Sequence, residues 1–219
     1  MSVNIGAIFD MDGVICHTNP YHSEAFRIFF SKRGFIPTDE ELAEHMFGKS
    51  NSYILTHFLK RPIKGDELRE LENEKEGLFR EIYRDKVTPV PGLIDFFYDL
   101  KSSGFKLAVA TSAPFANLDM ILKALRIESL FESVLASEDV IYHKPDPEVY
   151  QKSAANLGAR PQDCVVFEDS FSGITAGLAA GAKVVGVLTS HRPEELPVCS
   201  RYISDYLSVN GQDMLDLLS

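Results

Sequence analysis

Five short apolar runs set the strongest limit on what this chain can form. They are Ile5–Phe9, Leu107–Ala110, Cys164–Phe167 and Val184–Leu188, with a weaker one at Val134–Ala136. None alternates with polar residues, so each reads as a strand covered on both faces, as in a parallel sheet. Helical patterns separate them: Leu93–Leu100, Asn117–Leu125, Glu148–Leu157 and Ser172–Ala180. Parallel neighbours need crossover connections, and these are right-handed, so the pattern predicts an α/β fold with a doubly wound parallel sheet.

One interval breaks the alternation. From His17 to Thr88 the patterns are helical only: Tyr21–Lys32, a short helix opened by Thr38 and Glu41 as a capping box, Ser52–Leu59, and the charged stretch Asp66–Asp85. A segment that long is not a loop. The expected organisation is a sheet domain formed by 1–16 and 89–219, with an all-helical domain, 17–88, inserted into it. The charged face of Asp66–Asp85 is expected to be solvated.

Composition narrows the class. Of 219 residues, 22 are basic and 32 acidic, a net charge of −10. That excess argues against nucleic acid or an anionic membrane as partner, since both are bound by surplus Lys and Arg. Cys16, Cys164 and Cys199 show no paired spacing, so neither a disulfide framework nor a zinc site is expected. No apolar window is long enough for a membrane span. A cytoplasmic location and a monomeric state are the expectations.

The ends of the apolar runs carry the chemistry. Ile5–Phe9 runs into Asp10-Met11-Asp12-Gly13, Leu107–Ala110 into Thr111-Ser112, and Cys164–Phe167 into Glu168-Asp169-Ser170. Lys144-Pro145-Asp146-Pro147 holds a lysine at a helix entry. Ligands of open α/β sheets bind outside the carboxyl ends of the strands, where these residues fall. Gly13 permits a sharp turn and close approach of backbone N–H groups to an anion. A carboxylate pair, a hydroxyl, an acidic pair and a lysine fit phosphoryl transfer through an aspartate, with a divalent cation offsetting the charge. Gly48-Lys49-Ser50 echoes the end of a P-loop, but no strand precedes it.

In these motifs, and in their order over essentially the whole chain, the sequence resembles the haloacid dehalogenase superfamily, in the branch of β-phosphoglucomutases and small-metabolite phosphatases. The resemblance implies a Rossmann-like core with the helical insertion as a cap that closes over the site. It implies Asp10 as nucleophile and Asp12 as general acid and base, with Thr111 and Lys144 holding the transferring group, and Gly13 and Ser112 beside it. Mg2+ would be ligated by Asp10, the backbone carbonyl of Asp12, and Asp169, with Glu168 in support. His22, Gly48, Lys49, Asn51 and Lys75 become candidate substrate contacts of the cap.

The mutases of the branch carry a phosphate-gripping arginine where this chain has Asn51, and a Ser-Lys pair where it has Ala113-Pro114. Loss of a bidentate clamp and a lysine weakens binding of a second phosphate. The reading favoured is therefore an Mg2+-dependent phosphohydrolase of a small phosphorylated metabolite, a sugar phosphate first. The alternatives are a phosphosugar mutase, in which Lys49 replaces the arginine, and, more remotely, a phospho-acceptor regulatory domain. The excess acid lies outside the insertion: 17–88 holds 12 basic and 13 acidic residues, the remainder 10 and 19.

Overall fold

The computed structural model describes residues 4–46 and 50–219. In chain order its principal elements are β1 (Ile5–Phe9), α1 (Asn19–Ser31), α2 (Asp39–His45), α3 (Asn51–Leu59), α4 (Gly65–Tyr83), α5 (Leu93–Ser102), β2 (Phe105–Ala110), α6 (Phe115–Leu125), β3 (Ser133–Leu135), α7 (Glu148–Asn156), β4 (Cys164–Glu168), α8 (Phe171–Ala180), β5 (Lys183–Val187), β6 (Arg201–Ile203) and α9 (Gly211–Leu218). The chain divides into two compact units, Met1–His17 with Thr88–Ser219, and Thr18–Val87.

In the first unit the strands form one sheet in the order β3-β2-β1-β4-β5-β6, every pairing parallel. β1 is central, and four of its five residues are fully or almost fully buried, as a run without alternation requires. Its Phe9 stacks on Phe167 of β4 at 4.4 Å and meets Phe97 of α5 edge-on at 4.9 Å. On the opposite face Ile8, Ala108 and Val166 pack with Tyr150 and Ala154 of α7 and Ile174 of α8. Burial of this aromatic and aliphatic surface on both faces is what holds the strand ends in register.

β6 and α9 are additions to the sequence-based expectation. β6 has three residues, of which only Ile203 is buried, too few to show a period. α9 buries Gly211 and Met214, and it opens on a capping box between Asn210 and Asp213. It packs against α5 and β4, and its Asp213 pairs with Arg201 of β6 at 3.1 Å.

In the second unit every regular element among the described residues is a helix. Phe26, Phe29 and Phe30 of α1 pack with Leu42, Met46, Ile54, Leu55, Phe58 and Ile63 in its core. The Thr38–Glu41 capping box is formed in both directions: Glu41 N–H donates to Thr38 Oγ1 at 3.2 Å, and Thr38 N–H to Glu41 Oε2 at 2.8 Å. The solvated face expected of α4 is corrected in part, because Lys75 and Glu76 are only 2% and 4% exposed. They are buried because they pair with each other, as isolated buried charges could not be. Among the described residues no helix is long and apolar enough to cross a membrane.

The capping box gives a measurable contribution. Thr38→Ala should lower the stability of the helical unit by about 1 kcal/mol in denaturant unfolding, while Thr38→Ser should change it little. An alanine variant with unchanged midpoint and unchanged amide protection in α2 would contradict this.

Candidate active site

The sheet places its chemistry at the carboxyl ends of β1, β2 and β4. Pairing with β4 continues one residue past β1, since Asp10 N–H donates to Phe167 O at 3.0 Å. Asp10 is thereby held beside Glu168 and Asp169. β2 extends likewise, with Thr111 N–H donating to Leu135 O at 3.0 Å.

Lys144 reaches this edge from the segment before α7. Its Nζ lies 2.7 Å from Asp10 Oδ1, 2.7 Å from Glu168 Oε1 and 3.0 Å from the carbonyl oxygen of Ala110. Three acceptors for three ammonium protons leave the group fully assigned. Its side chain is 5% exposed. Thr111, the next residue after Ala110, is buried, and its Oγ1 accepts from Ala113 N–H at 3.1 Å. Ser112 is exposed.

Glu168 is surrounded by donors. Besides Lys144, its Oε1 accepts from the Tyr150 hydroxyl at 2.8 Å. Its Oε2 accepts from Asp169 N–H, Ser170 N–H and Ser170 Oγ at 3.0, 3.1 and 3.0 Å. Ser170 also caps α8, its Oγ accepting from Gly173 N–H. The carboxylate fills the space a side chain at residue 173 would need, because a Cβ there would stand 1.7 Å from Oε1. Gly173 therefore serves the acidic pair, whereas Gly177 gives the helix its close approach to Val166 and Val184.

Asp169 is tied to the loop after β5, where Ser190 Oγ donates to Oδ2 and His191 Nδ1 lies 3.1 Å from the Asp169 carbonyl. Thr189 Oγ1 donates to the carbonyl of Gly13. Gly13 has φ +77° and its Cβ would clash with Asp169 Oδ2 at 2.0 Å, so the turn requires glycine for conformation and for space. Half-buried Asp12 precedes it in the same turn.

Oxygens of Asp10, Glu168 and Asp169 lie within 4.8 Å of one another. One ammonium faces these carboxylates, and the imbalance is visible in their acidities. Burial raises Asp10 from its ordinary range to about 7; Lys144 opposes this, and the charges of Glu168 and Asp12 add to it. Asp169 is raised well above the ordinary carboxylate range by burial and by the charges of Glu168 and Asp10. Burial also pushes Glu168 up, but Lys144 and the donors on its oxygens outweigh it and hold it low. For Lys144 burial acts downward, and Asp10 with Glu168 prevails and raises it. All donors in the cluster are hard oxygens carrying surplus negative charge, a set that fits a hard divalent cation.

Among the candidates of the helical unit, half-buried His22 and Asn51 and buried Lys75 form one network. Lys75 Nζ lies 2.7 Å from His22 Nδ1 and donates to Glu76 Oε1 at 2.9 Å. Asn51 Nδ2 donates to the same oxygen at 2.8 Å. Lys75 lies 4.4 Å from the ring centroid of Phe26, and His22 stacks on Phe79 at 3.8 Å. Burial raises Glu76, but Lys75, His22 and the hydrogen bonds prevail and bring it to about 2. Gly48 and Lys49 lie outside the described residues.

Tyr150, Ser190 and Glu76 are absent from the sequence-based candidates, and Ser170 stands in a strand-end motif without being assigned a role there. The strand-end rule that picked out Glu168 applies equally to Thr189-Ser190 after β5, so that pair had a usable signal. Tyr150 sits within a helical apolar pattern and Glu76 within a charged run, and neither stands out there.

Residues 7–187 match the profile of the family described as haloacid dehalogenase-like hydrolase. A phosphorylated carbohydrates phosphatase of Thermotoga maritima is 33% identical over 188 residues, covering 84% of this chain and 85% of its own. A β-phosphoglucomutase of Bacillus subtilis is 33% identical over 189 residues, covering 82% and 81%. Among solved structures, a haloacid dehalogenase hydrolase of Entamoeba histolytica, family IA variant 3, superposes with a TM-score of 0.92. It is 25% identical and the match covers 98% of this chain and 99% of that one.

The raised carboxyls give the metal-free protein a pH signature. Asp10 and Asp169 keep protons in the folded chain that the unfolded chain releases near pH 4. Between about pH 4 and 7 the native state thus binds more protons, and these groups lower stability as pH rises. Glu168 has the opposite sign, but its contribution is lost only as pH falls below about 4.5. Thermal unfolding in chelator should show a decline across that window that is flatter in Asp10→Asn. Equal slopes for the two proteins would contradict the assignment.

Proposed function

Because the chain belongs to the haloacid dehalogenase-like hydrolase family, we propose that it hydrolyses a small phosphorylated metabolite, a sugar phosphate first among them, through a phosphoryl group carried on Asp10. The observation that carries this reading is Lys144 joining Asp10 to Glu168 at the strand ends, with Asp169 adjacent.

Asp10 Oδ attacks phosphorus, and the bond from phosphorus to the ester oxygen breaks. Asp12 gives its proton to the departing alkoxide, a role worth about 10²–10⁴ in rate. Water then attacks the same phosphorus, Asp12 takes its proton, and the bond to Asp10 breaks to release inorganic phosphate. Lys144, in contact with Asp10 Oδ1, lies beside the oxygens of the transferring group and stabilises charge that develops there. The Thr111 hydroxyl accepts from Ala113 N–H, and its own proton serves a phosphoryl oxygen. Asp10, Asp169 and the backbone carbonyl of Asp12 would hold Mg2+, supported by Glu168. When bound, the ion supplies neutralisation of charge between nucleophile and phosphate.

The buried ammonium of the helical unit, Lys75, is paired with Glu76, and Asn51, which carries no charge, donates to the same carboxylate, so neither is left over to grip a second phosphate. That supports a monophosphate substrate and hydrolysis over mutase action. The similarity to a β-phosphoglucomutase supports the second reading, phosphosugar isomerisation.

A panel of phosphate monoesters with Mg2+, including β-glucose 1-phosphate with its bisphosphate primer, separates the two. Release of inorganic phosphate from at least one ester is expected. Asp10→Asn should reduce it by about 10³-fold or more with the fold retained, and chelator should abolish it reversibly. Isomerisation without phosphate release would establish the mutase reading. Turnover that survives in Asp10→Asn or in chelator would overturn both.

A further inference from the structure

We propose that Tyr150 is a positioning residue of this site: its hydroxyl, bonded to Glu168, keeps Lys144 shared between Glu168 and Asp10. The inference rests on the phosphohydrolase reading and adds a residue outside the strand-end motifs. Lys144 and Tyr150 come from one segment, the lysine just before α7 and the tyrosine in its first turn. The two donate to the same oxygen, Glu168 Oε1, at 2.7 and 2.8 Å. The ammonium also lies 4.9 Å from the centroid of the Tyr150 ring. Tyr150 is 1% exposed, so no water competes for that oxygen from the side of the ring.

The geometry separates the two halves of the carboxylate. Oε2 is held by Asp169 N–H, Ser170 N–H and Ser170 Oγ, which fix its orientation at the start of α8. Oε1 is shared by the lysine and the phenol alone among the contacts described. A carboxylate offers about four lone-pair positions, and five donors saturate it. The phenol takes part of the charge on Oε1, which otherwise falls wholly on the ammonium. Without the hydroxyl, Glu168 binds Lys144 more strongly and draws it from Asp10. Lys144 then gives less to the phosphoryl oxygens when their charge changes most, in the transition state. A purely structural hydroxyl would affect folding and leave that step alone.

Tyr150→Phe keeps the ring, its packing and its face toward Lys144, and removes only the hydroxyl. In the full-length protein with Mg2+ and the best ester of the panel, kcat should fall about tenfold with KM changed less than about threefold. Aluminium fluoride with Mg2+, a planar mimic of the phosphoryl group in flight, should bind about tenfold more weakly, while inorganic phosphate binds as before. Unchanged kcat in a folded Tyr150→Phe protein overturns the inference and leaves the phosphohydrolase reading standing. So does an equal loss of affinity for phosphate and mimic, or activity that falls only with the folded fraction. Failure of Tyr150→Phe to fold assigns the hydroxyl to stability and overturns it as well. A wild-type protein that releases no phosphate from any ester overturns the phosphohydrolase reading itself, and this inference with it.

Discussion

A single buried ammonium organises the carboxyl edge of the sheet. Lys144 touches the end of β1 through Asp10, the last residue of β2 through the Ala110 carbonyl, and the end of β4 through Glu168. Taking charges out of water costs several kcal/mol per ion, and only close, fully bonded pairing offsets it. The contacts are close and the ammonium protons are all assigned, so the segment before α7 can lie in one place only. The same arrangement leaves negative charge over, because Asp169 adds a further carboxyl without adding a cation. The cluster therefore holds more carboxyls than cations, and hard oxygen donors of this kind fit a hard divalent cation.

Two polar environments of different character result. At the sheet edge one lysine faces an excess of carboxylates. In the helical unit one lysine meets one glutamate, closed off by Asn51, His22 and the rings of Phe26 and Phe79. The first holds more carboxyls than cations, and in the second the lysine and the glutamate offset each other. The excess acid that the composition places outside residues 17–88 has its structural counterpart in the first, and the near-neutral insertion in the second.

Much of this edge was legible from residues alone, for physical reasons that can be named. Buried parallel strands show as unbroken apolar runs, and the polar residues that end them must lie along one edge, so Asp10, Thr111, Glu168 and Asp169 announce themselves. Lys144 does so less directly, through the prolines around it. Tyr150 does not, because a tyrosine in an amphipathic helix has the same pattern whether its hydroxyl meets solvent or a carboxylate. Glu76 is hidden among like residues in Glu72-Asn73-Glu74-Lys75-Glu76, where a solvated helix face and a buried ion pair have the same composition. β6 is illegible because three residues with one buried side chain carry no period. Contacts between distant segments, such as Ser190 with Asp169, depend on strand order, which local patterns do not contain.

The borders of the helical insertion have one more property. Val90 N–H donates to Ile15 O at 2.9 Å, and Cys16 forms an antiparallel bridge with Pro89. The chain leaves the sheet unit and returns to it at neighbouring positions, tied by backbone groups that any residues could supply. The entropy of closing the long excursion grows only with the logarithm of its length. The sheet unit is therefore nearly indifferent to what lies between those two points. An insertion of another size or sequence could occupy the interval without altering the strand ends, so the helical unit can diverge while the sheet unit is held fixed.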